Sequence, residues 1–193
     1  RGSPITTPGR WWNGWPQQPS ESDPALPGHR RAVDTVDLVT HSAHAGPDRI
    51  TEPGRRVARS AVTDADLDVG EHAALVGDSA AGAVATFAGV VRDHDHGRRV
   101  ERLRYVAHPS AASVLDEIAA EVSRRFPVDA VAVSHRIGDL PIGGVALAAA
   151  VSSAHRREAF EAVSELVELI KHRLPVWKHQ FLADGTDEWV SCP

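Results

Sequence analysis

The sequence predicts an α+β fold, a two-layer sandwich with helices packed on one face of a mainly antiparallel sheet. Three observations carry that expectation. Two segments repeat apolar residues at helical spacing: Leu115, Ile118, Ala119, Val122 and Phe126 in one, and Phe160, Val163, Leu166, Val167 and Ile170 in the other. Short β-branched runs fall in split pairs around them. Turn signals such as Pro141-Ile142-Gly143-Gly144 separate the runs.

In chain order, residues 1–55 form a zone of their own. They hold eight of the 13 prolines, many Gly, Ser and Thr, and no sustained apolar period, so disorder is expected there. Within it Trp11, Trp12 and Trp15 cluster, either as a short binding motif or as part of an irregular tail. The ordered domain is expected over 56–193. Val57–Thr63 reads as a strand, and Asp68 to Val76 as a helix with Leu75 and Val76 on its apolar side. Ala83 to Val91 reads as a buried strand. With the mixed run Val100–Val106 it suggests a hairpin whose long, charged loop is 92–99. Pro109 opens the first long helix and Pro127 stops it. Val128–Ser134 and Val145–Val151 follow as strands, and Ser152 or Ser153 is placed to cap the second long helix. Val176–Leu182 and Glu188–Val190, around Asp184-Gly185-Thr186, close the chain as two short strands.

Composition excludes several function classes. A net charge of −5 argues against a general nucleic-acid binder. Every long apolar run is broken by Asp, Arg, His or Gly, so no membrane span is expected. Residues 1–30 lack the apolar core of a secretory signal, and the single cysteine, Cys192, cannot build a disulfide framework. The expected compartment is the cytoplasm. There is no methionine, so Arg1 is not expected to be a standard translation start.

The chemistry gathers around Lys171-His172-Arg173-Leu174-Pro175-Val176-Trp177-Lys178-His179-Gln180. Proline disfavours helical geometry in the residue before it, so a helix carrying Lys171 should end near Arg173 or Leu174. Lys178 then lies on an extended segment folding back. Two ammonium groups at one pocket mouth suit a polyanionic substrate; a helix end decorated with cations for its dipole is the plainer alternative. Ser152-Ser153-Ala154-His155-Arg156, at a strand-to-helix junction, offers free N–H groups, a ring and a guanidinium to an anion, or is a merely solvated first turn. Arg92 closes the Gly89-Val90-Val91 strand and gains meaning only if those groups converge on it. Asp93-His94-Asp95-His96 has the look of a metal-ligand run, but no HExxH or paired cysteine accompanies it, and a solvated loop is the adopted reading; metal ligands are expected to be none. There is no GxSxG, GxxxxGK[ST] or GxGxxG. A pocket without a nucleophile or a cofactor needs a reactive group brought by a partner.

Four motifs in register then carry a resemblance: Gly82-Ala83…Phe87-Ala88-Gly89-Val90-Val91-Arg92; His135-Arg136-Ile137-Gly138-Asp139-Leu140; Ser153-Ala154-His155-Arg156…Ala159-Phe160-Glu161-Ala162; and Lys171…Pro175-Val176-Trp177-Lys178. From about Val57 to Val190 the chain resembles the catalytic, large subunit of molybdopterin synthase. The resemblance implies conversion of cyclic pyranopterin monophosphate to molybdopterin, with no cofactor. Two sulfurs would be supplied by the C-terminal Gly-Gly thiocarboxylate of a small ubiquitin-like subunit. It also implies a large-subunit dimer at the centre of a heterotetramer. By the same resemblance Lys171 lies nearest the thiocarboxylate and assists acyl or proton transfer, and Lys178 binds or polarises the pterin. Arg92, His155 and Arg156 anchor substrate beside Val90 and Val91, and His179 and Gln180 complete the substrate-binding set.

The chain departs from that pattern where members often carry a glutamate, here Gln180, and an acidic residue, here near Val106. Gln180 can still orient by hydrogen bonding, though it cannot act as a base. The alternatives are a non-catalytic module of the same fold that holds a ubiquitin-like partner and, more distantly, a metal hydrolase using His94 and His96.

Overall fold

The computed structural model describes residues 51–191. Of residues 1–55, expected to be disordered, 1–50 lie outside the described residues, as do the tryptophan cluster and Cys192; the Arg55 N–H is bonded to the Val128 carbonyl at 3.0 Å. The elements run β1 (Arg56–Thr63), α1 (Val69–Leu75), β2 (Ala83–Val90), β3 (His94–Asp95), β4 (Arg98–Ala107), α2 (Ala111–Arg125), β5 (Val128–Arg136), β6 (Gly138–Leu140), β7 (Val145–Ser153), α3 (Arg156–Arg173), β8 (Val176–Leu182) and β9 (Asp187–Ser191). This is the α+β class the sequence predicts, with the strands divided between two sheets. One has the order β1-β5-β7-β2; the other runs β3-β4-β8-β9, with β6 paired to β4. Among the described residues only β1 and β5 pair in parallel.

Strand alternation explains the layers. Val131, Val133, Ala149 and Val151 face the main core, where Leu115, Ile118 and Val122 of α2 and Ala162, Leu166 and Ile170 of α3 are buried against them. The intervening Ala130, Ala132 and Ala150 face the other way, onto Leu75 and Val76 at the end of α1. The two long helices thus share one face, as expected, while the short helix covers the opposite one. β5 and β7 are buried on both sides, which is why they read as continuous apolar runs.

Several local expectations change. No hairpin joins Ala83–Val91 to Val100–Val106: β2 pairs with β7, and β4 pairs with β8. The charged segment between them makes its own hairpin, β3–β4, in which His94 faces Arg99 and Asp95 faces Arg98. His96 and Gly97 both have positive φ, 47° and 77°, the geometry of a two-residue type I′ turn. Phe160 does not join the apolar stripe of α3, being 65% exposed; the buried side follows Ala159, Ala162, Val163, Leu166, Val167 and Ile170. Ser152 and Ser153 remain in β7, and the N-cap of α3 is His155, without a side-chain cap bond. Ser153 instead bonds through Oγ to the His155 carbonyl at 3.0 Å.

Candidate functional site

The corner around Pro175 forms as its chemistry dictates. Helix α3 ends at Arg173, and the cap residue Leu174 takes φ −71° and ψ 118°, the extended geometry forced on a residue before proline. β8 then runs back antiparallel to β4. Along β8 the side chains alternate: Val176, Lys178, Gln180 and Leu182 turn inward, and Trp177, His179 and Phe181 turn outward.

The inward side meets the ends of β2 and β7 around a cavity of about 400 Å³. Its floor is apolar, with Phe87, Val91, Val100, Leu103, Leu147 and Ile170. Its polar groups are Arg92, Asp95, Tyr105, His135, Lys171, Lys178, Gln180 and, at the edge, His94. Lys171 is exposed at the mouth and forms no ion pair with a described residue. Lys178 lies deeper, 19% exposed, and its Nζ donates to Asp95 Oδ2 at 2.8 Å. Arg92 stands at the rim, 68% exposed, with Nη2 3.0 Å from Asp95 Oδ1. These charges hold the Asp95 carboxyl down at about 2, the Lys178 hydrogen bond contributing most. Burial, by contrast, pushes the His135 imidazole down to about 4, so a neutral ring stands edge-on to Tyr105 with centroids 5.0 Å apart.

Of the residues singled out in the sequence, the fold brings Val90, Val91, Arg92, Lys171, Lys178 and Gln180 to this cavity. Val91 contributes its side chain to the wall, since its own N–H and C=O are bonded to Gly144 and Gly143. His179 points away, stacked on Trp189 at 4.2 Å and paired with Asp187 at 2.5 Å. Val106 is likewise on the outer side, opposite Trp177, so an acidic residue there would not enter the cavity. His155 and Arg156 line a separate shallow depression at the start of α3, with Gly82 and Glu158. The helix separates Arg156 from Lys171 by about 22 Å. Asp95, Tyr105, His135 and, at the edge, His94 are the polar members of the cavity that the sequence did not place there.

The arrangement sets cationic side chains at its rim, a charge suited to an anion, and holds a partly desolvated ammonium inside. Among the described residues no cysteine, serine or threonine lines it.

A model of the MoaE protein family matches residues 62–173. The chain is 40% identical over 133 residues to the molybdopterin synthase catalytic subunit of Nostoc, covering 68% of this chain and 81% of that one. It is 39% identical over 130 residues to molybdopterin synthase catalytic subunit 1 of Mycobacterium tuberculosis, 67% of this chain and 88% of that one. Among solved structures, molybdopterin synthase from Staphylococcus aureus superposes with a TM-score of 0.63 at 31% identity, over 67% of this chain and 94% of that one.

Proposed function

We propose a function from one premise: the chain belongs to the MoaE protein family. It is the catalytic subunit of a molybdopterin synthase. In this reading it takes cyclic pyranopterin monophosphate and builds the dithiolene of molybdopterin. Each sulfur enters as the thiocarboxylate on the C-terminal Gly-Gly of a small ubiquitin-like subunit. The observation that carries the reading is the cavity itself, cationic at its rim and without a nucleophilic sulfur or hydroxyl of Cys, Ser or Thr among the described residues. Such a site is inert until a partner brings the sulfur.

The roles follow from depth. Lys171, at the mouth, meets the incoming tail and assists acyl or proton transfer. Lys178, deeper and held by Asp95, polarises the pterin. Arg92 at the rim takes the phosphate, and the preorganised charge stabilises what develops as the cyclic ester opens. His155 and Arg156 are too far along α3 to reach their own cavity, so in the self-dimer they serve the second copy's. The edge of β2 that faces away from β7 offers a route. It is unpaired among the described residues, carries no charge, and runs from Gly82 beside that pair to Arg92 at the cavity. Two such edges paired about a two-fold axis set one copy's His155 and Arg156 near the other's Arg92. No helix among the described residues is long and apolar enough to cross a membrane, and the cytoplasm is the compartment this reading assigns.

The test is reconstitution: the purified chain, the pyranopterin and a thiocarboxylated small subunit, assayed for molybdopterin. Lys171→Ala is expected to abolish dithiolene formation while leaving the heterotetramer intact by size-exclusion chromatography. No product from the wild type, or near-normal product from Lys171→Ala, would sink the assignment.

A further inference from the structure

Among the described residues Asp95 is the one acidic side chain in the cavity lining, and it is only 8% exposed. The type I′ turn at His96-Gly97 sets its direction: in a two-residue hairpin the flanking side chains alternate, so His94 stays exposed at the cavity edge and Asp95 faces in. Its two oxygens are divided between two cations, Oδ2 to Lys178 at 2.8 Å and Oδ1 to Arg92 at 3.0 Å, with His96 Nδ1 at 3.2 Å on the same Oδ1. Gln180, 1% exposed, lines the same cavity and helps hold the Asp95 carboxyl down, while its Nε2 donates to Glu188 Oε1. An amide has two N–H donors, so one can serve Glu188 and leave the other for Asp95; a carboxylate in its place has none.

Resting on the function proposed above, we infer that Asp95, oriented by Gln180, is a positioning residue that holds Lys178 and Arg92 at the separation the pterin monophosphate requires. The carboxylate lies between two like charges that would otherwise repel and turn outward to water. Because it acts through those cations and does not itself bind an anionic substrate, its removal separates turnover from affinity. The cavity of Asp95→Asn is one negative charge poorer, so an anionic substrate binds no worse, while the released lysine no longer stands where the reaction needs it. A displacement on the order of 1 Å costs about a hundredfold in rate.

The experiment is steady-state kinetics of the reconstituted heterotetramer with the pyranopterin varied, together with a thermal melt of each variant. For Asp95→Asn a 10- to 100-fold lower kcat is expected, roughly the cost of such a displacement, with KM unchanged or lower. Gln180→Glu, which replaces the donor with a third carboxylate, is expected to lower kcat in the same manner. Asp95→Ser serves if Asp95→Asn does not fold, with the same expectation. A kcat within about twofold of wild type, or a KM that rises as far as kcat falls, overturns the inference. Wild-type turnover beside unaffected variants refutes only the role of Asp95, whereas an inactive wild type refutes the functional reading beneath it.

Discussion

Burial makes the His135 imidazole a pH-sensitive element of the cavity wall. Its ring is 7% exposed and pushed down to about 4 by desolvation, against a hydrogen bond from Nδ1 to the Arg136 carbonyl that works the other way. An unfolded histidine titrates near 6.5. Above that value His135 costs nothing. Between about 6.5 and 4 the unfolded chain takes up a proton that the native chain refuses, so stability falls as pH falls, by about 2 kcal/mol at pH 5. Thermal melts of wild type and His135→Gln between pH 7 and 5 check this: the variant should show the shallower decline, and parallel curves would remove His135 from the effect. At this scale the residues alone left a cationic helix end as the plainer reading of Lys171 and Lys178, and it was the four-motif resemblance that singled them out with Arg92. Asp95 was not singled out. In a run of Asp, His and Arg it resembles any solvated loop, and only the positive-φ pair after it shows that the chain turns back and drives the carboxylate inward.

Elements set by local chemistry were readable; those set by pairing were not. Phe126 and Leu174 stand before prolines, and both helices stop there with extended caps. Nothing local says that Ala83–Val90 pairs with β7 and not with the run after it, or that the strands divide into two sheets, because both depend on partners distant in sequence. Phe160 misled for a smaller reason: it neighbours the true stripe position, Ala159, and is the larger apolar residue. The β3–β4 hairpin supplies an element-scale prediction. Gly97 has φ +77° and Gly185, in the β8–β9 turn, φ +82°, so a valine at either should cost about 1–2 kcal/mol. Gly97→Val should also lower turnover, since the turn aims Asp95, whereas Gly185→Val should leave turnover unchanged at temperatures where both are folded. Equal turnover in the two variants would separate the hairpin from the site.

For the molecule as a whole, the two-copy arrangement makes a sharper claim than dimerisation alone. If Arg156 serves the other copy's Lys171, a heterodimer of one Lys171→Ala chain and one Arg156→Ala chain contains one cavity with both defects and one with neither. Differentially tagged chains, purified as the heterodimer, should therefore recover about half of wild-type product, a proportion fixed by counting sites rather than by any energy. Recovery no better than either parent homodimer would return His155 and Arg156 to their own chain or to the surface. Residues 62–173, which the family model spans, include Arg92, Asp95, His155, Arg156 and Lys171 but stop short of Lys178 and Gln180.

The Pro175 corner also sets a phase. Lys178 reaches the cavity only because an odd count of steps separates it from Trp177 and His179, which alternation turns outward. Add or delete one residue between Leu174 and Lys178 and β8 can keep its ladder with β4, but the indole or the imidazole takes the inward place and the ammonium goes to solvent. The chain can therefore vary in side chain along this stretch more freely than in length: a single-codon insertion here would silence the enzyme while leaving a sheet that still closes.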